Sequence, residues 1–260
     1  MDILRLSAAF VYGAVYGSFL NVVVHRLPRE ESLARPRSRC PRCLAPIAWH
    51  DNVPILSWLA LGGRCRRCRV LISVRYPLVE AAAGVLAAAL QWRWPQSPAW
   101  GGAAALAAGA LLAVALIDWD TFLIPDELSL GLLAAGLLAA PLNPYLAGHG
   151  WGPALWFSAR GALTGLAMTW GTAALGEFLL KKEALGGGDI KLLAAVGAWT
   201  GATGAFDCMM IGSLLGSIYG VFLLASGRAR RADPIPFGPF LAAAAVFNLF
   251  RLLPMGWPFL

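Results

Sequence analysis

Long apolar runs, separated by short polar or Pro- and Gly-rich turns, recur along most of this 260-residue chain. Each run approaches the length of about 20 residues that an α-helix needs to cross the hydrocarbon core of a bilayer. We therefore predict an all-α polytopic membrane protein with about eight transmembrane helices. The predicted spans are 4–24, 76–92, 102–118, 126–142, 157–180, 190–206, 208–226 and 237–253.

One polar stretch, 25–75, interrupts the apolar pattern and holds eleven arginines. Its length favours a separate loop over a simple turn, so we divide the chain into a first transmembrane helix at 1–24, this loop, and a transmembrane core at 76–260. The first apolar run lacks a small-residue cleavage site at its end. It is therefore predicted to be a retained helix and not a removed signal peptide.

Composition and charge placement narrow the class of protein further. The chain is 58% hydrophobic and only 13% charged, whereas water-soluble domains carry roughly a quarter of charged residues. A net charge of +7 is compatible with nucleic-acid binding, but concentration of the arginines in one loop is typical of a cytoplasmic loop under the positive-inside rule. We expect that loop to meet lipid headgroups, and we expect no nucleic-acid partner.

Four of the five cysteines form two CxxC pairs inside the basic loop, "CPRC" at 40–43 and "CRRC" at 65–68. Paired thiolates on tight turns can converge on one tetrahedral ion, and this spacing indicates a zinc site. Two disulfides are the alternative, but a reducing cytoplasm disfavours them. Four thiolates would fill the coordination shell, so a structural zinc ion is expected. Its predicted ligands are Cys40, Cys43, Cys65 and Cys68.

Several carboxylates lie in or beside the predicted spans, and intramembrane carboxylates are functional candidates by default. Asp207 falls in the predicted turn between the sixth and seventh spans, where we expect it to be solvated. Asp120, Asp126 and Glu127 surround Pro125, and for them helix capping and solvation are sufficient explanations.

Asp118 and Asp189 differ from these residues because the predicted topology brings them to the same membrane depth. Two close carboxylates cannot both ionise cheaply, so one can act as base while the other acts as acid. Such a pair can activate water against a peptide carbonyl and protonate the leaving amine. Three glycines precede Asp189, and we expect them to let an extended substrate approach, because they have no side chains and permit φ values that other residues avoid. These predicted substrate-binding residues are Gly186, Gly187 and Gly188.

Several motifs occur in a specific order along nearly the whole chain. They are "GSFLNVVVHRLP" at 17–28, the two CxxC pairs, "IAWHDNVPILSWLALGGRC" at 47–65, "ISVRYPLVE" at 72–80, "DWDTFLIPD" at 118–126 and "GGGDIKLLAAVGAW" at 186–199. Together they resemble the type IV prepilin peptidases, which are GxGD intramembrane aspartic proteases. In that family the first catalytic aspartate lies seven residues before the proline of the IPD or LPD triplet, which implies Asp118. The second closes the GxGD motif, which implies Asp189.

The resemblance also implies substrates, a location and a second activity. Such enzymes remove the basic leader of type IV prepilins or type II secretion pseudopilins at the cytoplasmic side of the bacterial inner membrane. Many also methylate the new N-terminal amine with S-adenosylmethionine. The chain shows no glycine fingerprint for that cofactor. Asn21, His25 and Glu80 are candidate contacts because they are polar groups in matched motifs, with hydrogen bonding between helices as an equal alternative. The oligomeric state is left open.

Two other classes of protein remain as alternatives. A transporter or channel could use the two aspartates as a proton relay, although this does not explain why both lie at one membrane edge beside glycines. A membrane scaffold could use the zinc loop to recruit partners, but it leaves the carboxylates unexplained. The enzyme hypothesis accounts for more of these features than either alternative.

Overall fold

The computed structural model describes residues 3–144, 150–181, 185–228, 230 and 233–251. Within these residues the regular structure is helical, apart from two isolated β-bridges in the basic loop. The helices are α1 Ile3–Arg26, α2 Leu56–Ala60, α3 Arg75–Arg93, α4 Pro98–Thr121, α5 Asp126–Ala139, α6 Trp151–Leu180, α7 Gly187–Ala225 and α8 Gly238–Arg251. The predicted all-α fold class is confirmed.

The predicted spans correspond to seven of these helices, because the long helix α7 covers two of them. Among the described residues, three stretches are long and apolar enough to cross a membrane by themselves, and α8 is a shorter apolar helix. The three are Ile3–Arg29, Pro98–Thr121 and Gly187–Ala225. The short helix α2 lies inside the polar loop, where no span was predicted.

The chain forms two compact units, 1–109 and 110–260. In the first unit, α1 and α3 pack in antiparallel fashion through small residues. A Cβ added at Gly17 would lie 2.7 Å from the Cα of Glu80, and one added at Gly84 would lie 2.9 Å from the ring of Phe10. Such close backbone approach is how helices gain packing contacts where lipid removes the hydrophobic driving force.

In the second unit, α6 packs against the first half of α7 through the same device. A Cβ added at Gly161 would collide with the carbonyl oxygen of Gly197. A Cβ added at Gly197 would in turn collide with the carbonyl oxygen of Gly161. Nearby, the hydroxyl of Ser158 donates a hydrogen bond of 2.6 Å to the Ala198 carbonyl, inside the core. The contact therefore combines minimal side chains with a buried polar bond.

Helix α7 is interrupted at Gly201, whose φ of 75° and ψ of −177° are not helical. The start of α7 lies near the end of α4, since Gly188 contacts Ile124. The far half of α7 returns to the same end, where the rings of Tyr219 and Trp119 have centroids 5.6 Å apart. The chain therefore travels out along 187–200 and back along 202–225.

This arrangement corrects the predicted position of the turn. We expected the chain to reverse near Asp207, but the helical geometry breaks six residues earlier, at a glycine in the left-handed region that L side chains rarely adopt. Asp207 lies within the returning helix and is half-buried. Its Oδ2 atom is buried and accepts no hydrogen bond from the described residues, so it is not the solvated loop residue that was expected.

Candidate active site

Asp118 lies in the last turn of α4 and is only 5% exposed. The helix ends just after it, because Phe122 has a left-handed φ of 55° and its amide donates to the Asp118 carbonyl at 2.9 Å. The side chain of Asp118 also accepts a hydrogen bond: the amide of Gly238 donates to its Oδ2 atom at 2.9 Å. Gly238 is the first residue of α8.

This hydrogen bond has an electrostatic meaning. The last turn of a helix carries partial negative charge, so a carboxylate at the end of α4 is unfavourably placed with respect to its own helix. The first turn of a helix presents unpaired N–H groups and partial positive charge. By bonding to Gly238, the Asp118 carboxylate occupies the N-terminus of α8, and this offsets the repulsion from α4.

Asp189 also lies at a helix N-terminus. It is half-buried in the first turn of α7, and its amide donates to the Gly186 carbonyl at 3.1 Å. A carboxylate in this position interacts favourably with the helix dipole. Both aspartates thus have a helix N-terminus as electrostatic partner, although they come from opposite ends of their own helices.

The structure brings Asp118 and Asp189 together, close enough for the charge of one to act on the other. Ile124 fills the space between the segments that carry them. A Cβ added at Gly188 would lie 2.8 Å from the Cβ of Ile124, and one added at Gly238 would lie 3.1 Å from its Cδ1. The end of α4 and the starts of α7 and α8 therefore converge on a site with two carboxylates.

The three glycines before Asp189 behave differently from one another. None has a positive φ, so their backbone conformations do not use the freedom that glycine permits. Gly188 is required by packing against Ile124. An added Cβ at Gly186 would make an ordinary contact of 3.5 Å with Asp189, and at Gly187 it would meet nothing within 4 Å. Only Gly186 and Gly187 leave room beside the carboxylate.

The neighbouring acidic residues are more exposed than Asp118 and Asp189. Asp120 and Glu127 are exposed. Asp126 is also exposed, but it forms an ion pair with Lys191, whose Nζ lies 2.7 Å from Asp126 Oδ1. The sequence analysis did not predict this ion pair. The signal that could have indicated it is the position of Lys191 near the membrane edge, where a charged side chain needs a partner. Gly238 was also missed, because nothing in "PIPFGPF" indicates what its amide would bind.

The four CxxC cysteines form a compact cluster in the basic loop. Their sulfur atoms all lie within 4.8 Å of one another. The Sγ atoms of Cys40 and Cys68 are 3.7 Å apart, and those of Cys43 and Cys65 are 4.0 Å apart. A tetrahedral ion with metal–sulfur bonds of about 2.3 Å separates its sulfurs by about 3.8 Å. All four thiols are free, and their geometry fits one tetrahedral metal ion.

The two halves of the cluster are built alike. In each, the residue four positions after the first cysteine has positive φ, 55° at Leu44 and 60° at Arg69. Its amide donates to the carbonyl of that first cysteine, at 2.9 Å in one half and 3.0 Å in the other. An isolated β-bridge closes each turn. The same tight turn is therefore used twice to aim two sulfurs at a common point.

The pKa values of two thiols in the cluster are shifted in opposite directions. Backbone hydrogen bonds from Cys68 and Arg67 lower the pKa of Cys65 to about 6. The pKa of Cys68 rises to about 11 despite a hydrogen bond from the Val70 amide, because burial and the three neighbouring sulfurs disfavour its thiolate. A bound cation would let all four thiolates coexist.

The polar candidates for a methyl-donor site have contacts within the first unit. The side-chain amide of Asn21 donates to the Tyr76 carbonyl at 3.1 Å. Glu80 Oε2 accepts a 2.7 Å hydrogen bond from the amide of Ile55, a residue with a φ of 62° at the start of α2. These two contacts fit the alternative of hydrogen bonding within the fold. His25 is exposed.

Two family models match the chain and together cover most of it. The model described as "Bacterial Peptidase A24 N-terminal domain" matches residues 11–94, and the one described as "Type IV leader peptidase family" matches residues 105–221. The first match contains the cysteine cluster, and the second contains Asp118 and Asp189. No solved structure matches the chain.

Curated proteins from several bacteria are similar over nearly their whole length, and three of them are named prepilin leader peptidase/N-methyltransferase. The protein of Aeromonas salmonicida strain A449 is 39% identical, over 93% of this chain and 89% of the relative. That of Burkholderia pseudomallei strain 1026b is 39% identical, over 98% and 87%. That of Pseudomonas aeruginosa is 39% identical, over 89% and 85%.

The sulfur geometry predicts that the purified chain holds about one tetrahedral metal ion. Replacing Cys43 with serine should lower the metal content measured by inductively coupled plasma mass spectrometry, because one of four ligands is lost. Cys208→Ser is the matched control, since Cys208 lies buried in α7 and its thiol bonds to the Leu241 carbonyl. Equal metal content in the two variants would contradict the assignment of the ligands.

Proposed function

This chain belongs to the type IV leader peptidase family, and from that premise we propose that Asp118 and Asp189 are its two catalytic aspartates. The observation that carries the proposal is the convergence of these carboxylates, from the end of α4 and the start of α7, on one site beside the amide of Gly238. Family membership also decides between the enzyme and the relay transporter in favour of the enzyme.

The reaction is hydrolysis of the peptide bond that joins the basic leader of a prepilin or pseudopilin to its apolar segment. The carboxylate pair holds one proton between its members. The ionised aspartate takes a proton from water as the water oxygen attacks the carbonyl carbon. The protonated aspartate then gives its proton to the leaving nitrogen as the C–N bond breaks. The products are the free leader and a mature chain with a new N-terminal amine.

The substrate backbone is proposed to pass beside Gly186 and Gly187. Room for it is left on this side of Asp189, where added side-chain atoms would meet little or nothing. Gly188 has a different role, because its missing Cβ admits Ile124. An extended peptide at the first two glycines would have its scissile carbonyl next to the Asp189 carboxylate.

The active site is proposed to face the cytoplasm of a bacterial inner membrane. In the predicted topology two membrane crossings, α3 and α4, lie between the arginine-rich loop and Asp118, and this supports the same side for both. The positive-inside rule assigns the loop to the cytoplasm, where its arginines would meet anionic lipid headgroups. A prepilin leader remains on this side while its apolar segment enters the membrane.

The metal in the cysteine cluster is proposed to be zinc in a structural role. Cys40, Cys43, Cys65 and Cys68 would occupy its four coordination positions, so no position is left for water or substrate. The ion would cross-link two turns in a loop whose apolar side chains are mostly exposed.

The chain also N-methylates the new N-terminal residue, and S-adenosylmethionine is the proposed methyl donor. Transfer to an amine needs the unprotonated nitrogen in line with an electrophilic methyl group. The N–C bond would form as the methyl–sulfur bond of the donor breaks, and the nitrogen would then lose a proton. The transfer does not need an activated water. The two reactions therefore make different demands on the side chains of the enzyme.

The first prediction concerns the aspartate pair. Asp118→Asn and Asp189→Asn should each lower leader cleavage by at least about a hundredfold, because a single carboxylate cannot serve as both base and acid. Mass spectrometry of a prepilin peptide incubated with detergent-purified enzyme measures this loss. Asp120→Asn, an exposed neighbour of Asp118, is the control and should keep most of the activity. Loss in Asp120→Asn with activity in Asp118→Asn would refute the assignment.

The second prediction concerns the hydrogen bond to Asp118. Ala at position 238 would place its Cβ 2.8 Å from Asp118 Oδ2, so the carboxylate must move. A displacement of this size is expected to lower kcat by about tenfold to a hundredfold. Gly131→Ala is the control, because a Cβ there meets nothing within 4 Å. Equal kcat in the two variants would show that the position of Asp118 is not critical.

The third prediction separates the two activities. Given a pre-cleaved pilin N-terminus and S-adenosylmethionine, the Asp118→Asn/Asp189→Asn double variant should still methylate, since methyl transfer needs no activated water. Incorporation of a labelled methyl group measures this. A folded, metal-loaded double variant without methylation, beside an active wild type, would show that the aspartates serve both reactions.

A further inference from the structure

A long-range ion pair joins the two motifs that carry the aspartates. The Nζ atom of Lys191 lies 2.7 Å from both carboxylate oxygens of Asp126. Asp126 is the first residue of α5, and Lys191 lies at the start of the second turn of α7. The pair therefore ties the segment that follows Asp118 to the helix that begins beside Asp189.

The segment held by this pair is otherwise irregular backbone. Residues 122–125 form no helix or strand, and Phe122 has a φ of 55°. Within this segment, Ile124 packs against Gly188 on one side and Gly238 on the other. A shift of the segment would move Ile124, and with it the glycine whose amide binds the Asp118 carboxylate.

The direction of the lysine argues against a part in proton transfer. A helix turns by about 100° per residue, so Lys191 lies about 200° around α7 from Asp189. Its ammonium group is held by Asp126, which neutralises it. The two side chains are 41% and 57% exposed, and ion pairs with such exposure contribute little to folding stability. The position of the pair, between two segments of the active site, is therefore its more important property.

We propose that the Asp126–Lys191 ion pair is a positioning device that sets the separation of Asp118 and Asp189 for cleavage. The inference rests on the proposed function, because it assumes that these two aspartates carry out the reaction. Asp126 and Lys191 act through the segments they join. A misplacement of about 1 Å in a catalytic group can lower a rate by about a hundredfold, so a weak surface contact at this place has a large effect on turnover.

The test compares Asp126→Asn, Lys191→Gln and the reversed pair Asp126→Lys/Lys191→Asp with wild type. Each purified chain is assayed for kcat and KM on a prepilin peptide, and its thermal unfolding midpoint is measured. Both single variants should lose about tenfold or more in kcat, with KM within about twofold of wild type and nearly unchanged midpoints. The reversed pair should recover part of the loss. Glu127→Gln, which removes the next acidic group along α5, should behave as wild type.

Wild-type kcat in both single variants would overturn the inference, as would a reversed pair no more active than the single variants. A loss that appears as a raised KM would also overturn it, because that result assigns the pair to substrate binding. If a single variant does not fold, the charge-conserving variants Asp126→Glu and Lys191→Arg are assayed in its place. Each should keep kcat within about fivefold of wild type. A larger loss there would count against the proposal, since both keep the ion pair.

Asp118→Asn is included in the same assay to separate two kinds of failure. If that variant cleaves the peptide, the proposed catalytic pair is wrong. If it is inactive while the Asp126 and Lys191 variants are fully active, the catalytic pair stands and only the positioning inference fails.

Discussion

The arrangement of the second unit depends on one hydrogen bond, from the Gly238 amide to the carboxylate of Asp118. Without it, Asp118 would be a nearly buried anion at the negative end of α4, a position that electrostatics disfavours. The bond gives α8 a side-chain acceptor for one of its unpaired N–H groups. It thus fixes where α8 begins and where the Asp118 carboxylate points.

Helix termini are the recurring element of the site. Asp189 opens α7, Asp118 caps α8, and Asp126 opens α5. Each carboxylate meets the positive end of a helix dipole. Glycines at 188 and 238 allow these termini to approach Ile124 closely. The site is therefore organised by backbone dipoles and close packing, with few side-chain hydrogen bonds needed to hold it.

The sequence was sufficient for features that depend on local composition. Apolar runs predicted the helices, and CxxC spacing predicted the sulfur cluster, because both patterns are written in neighbouring residues. The predicted topology also placed Asp118 and Asp189 at the same depth, but the other tertiary contacts of the site could not be predicted. The partner of Asp126 lies far along the chain at Lys191, and the donor to Asp118 is a backbone amide whose identity no side chain reveals. The turn was misplaced at Asp207 because a glycine break inside an unbroken apolar run leaves no change in hydrophobicity.

The interruption at Gly201 has a consequence for the surrounding lipid. The outward segment 187–200 rises by about 1.5 Å per residue, or about 21 Å in all, whereas bilayer hydrocarbon is about 30 Å thick. This hydrophobic mismatch is relieved by local thinning of the bilayer or by burying an end of the segment below the headgroups. In the first case the bilayer is locally thinner beside α7, and in the second the bend at Gly201 lies within the hydrocarbon, at the opposite end of the segment from Asp189. A single glycine that breaks helical geometry thus limits how much of the bilayer this pair of helical segments can span.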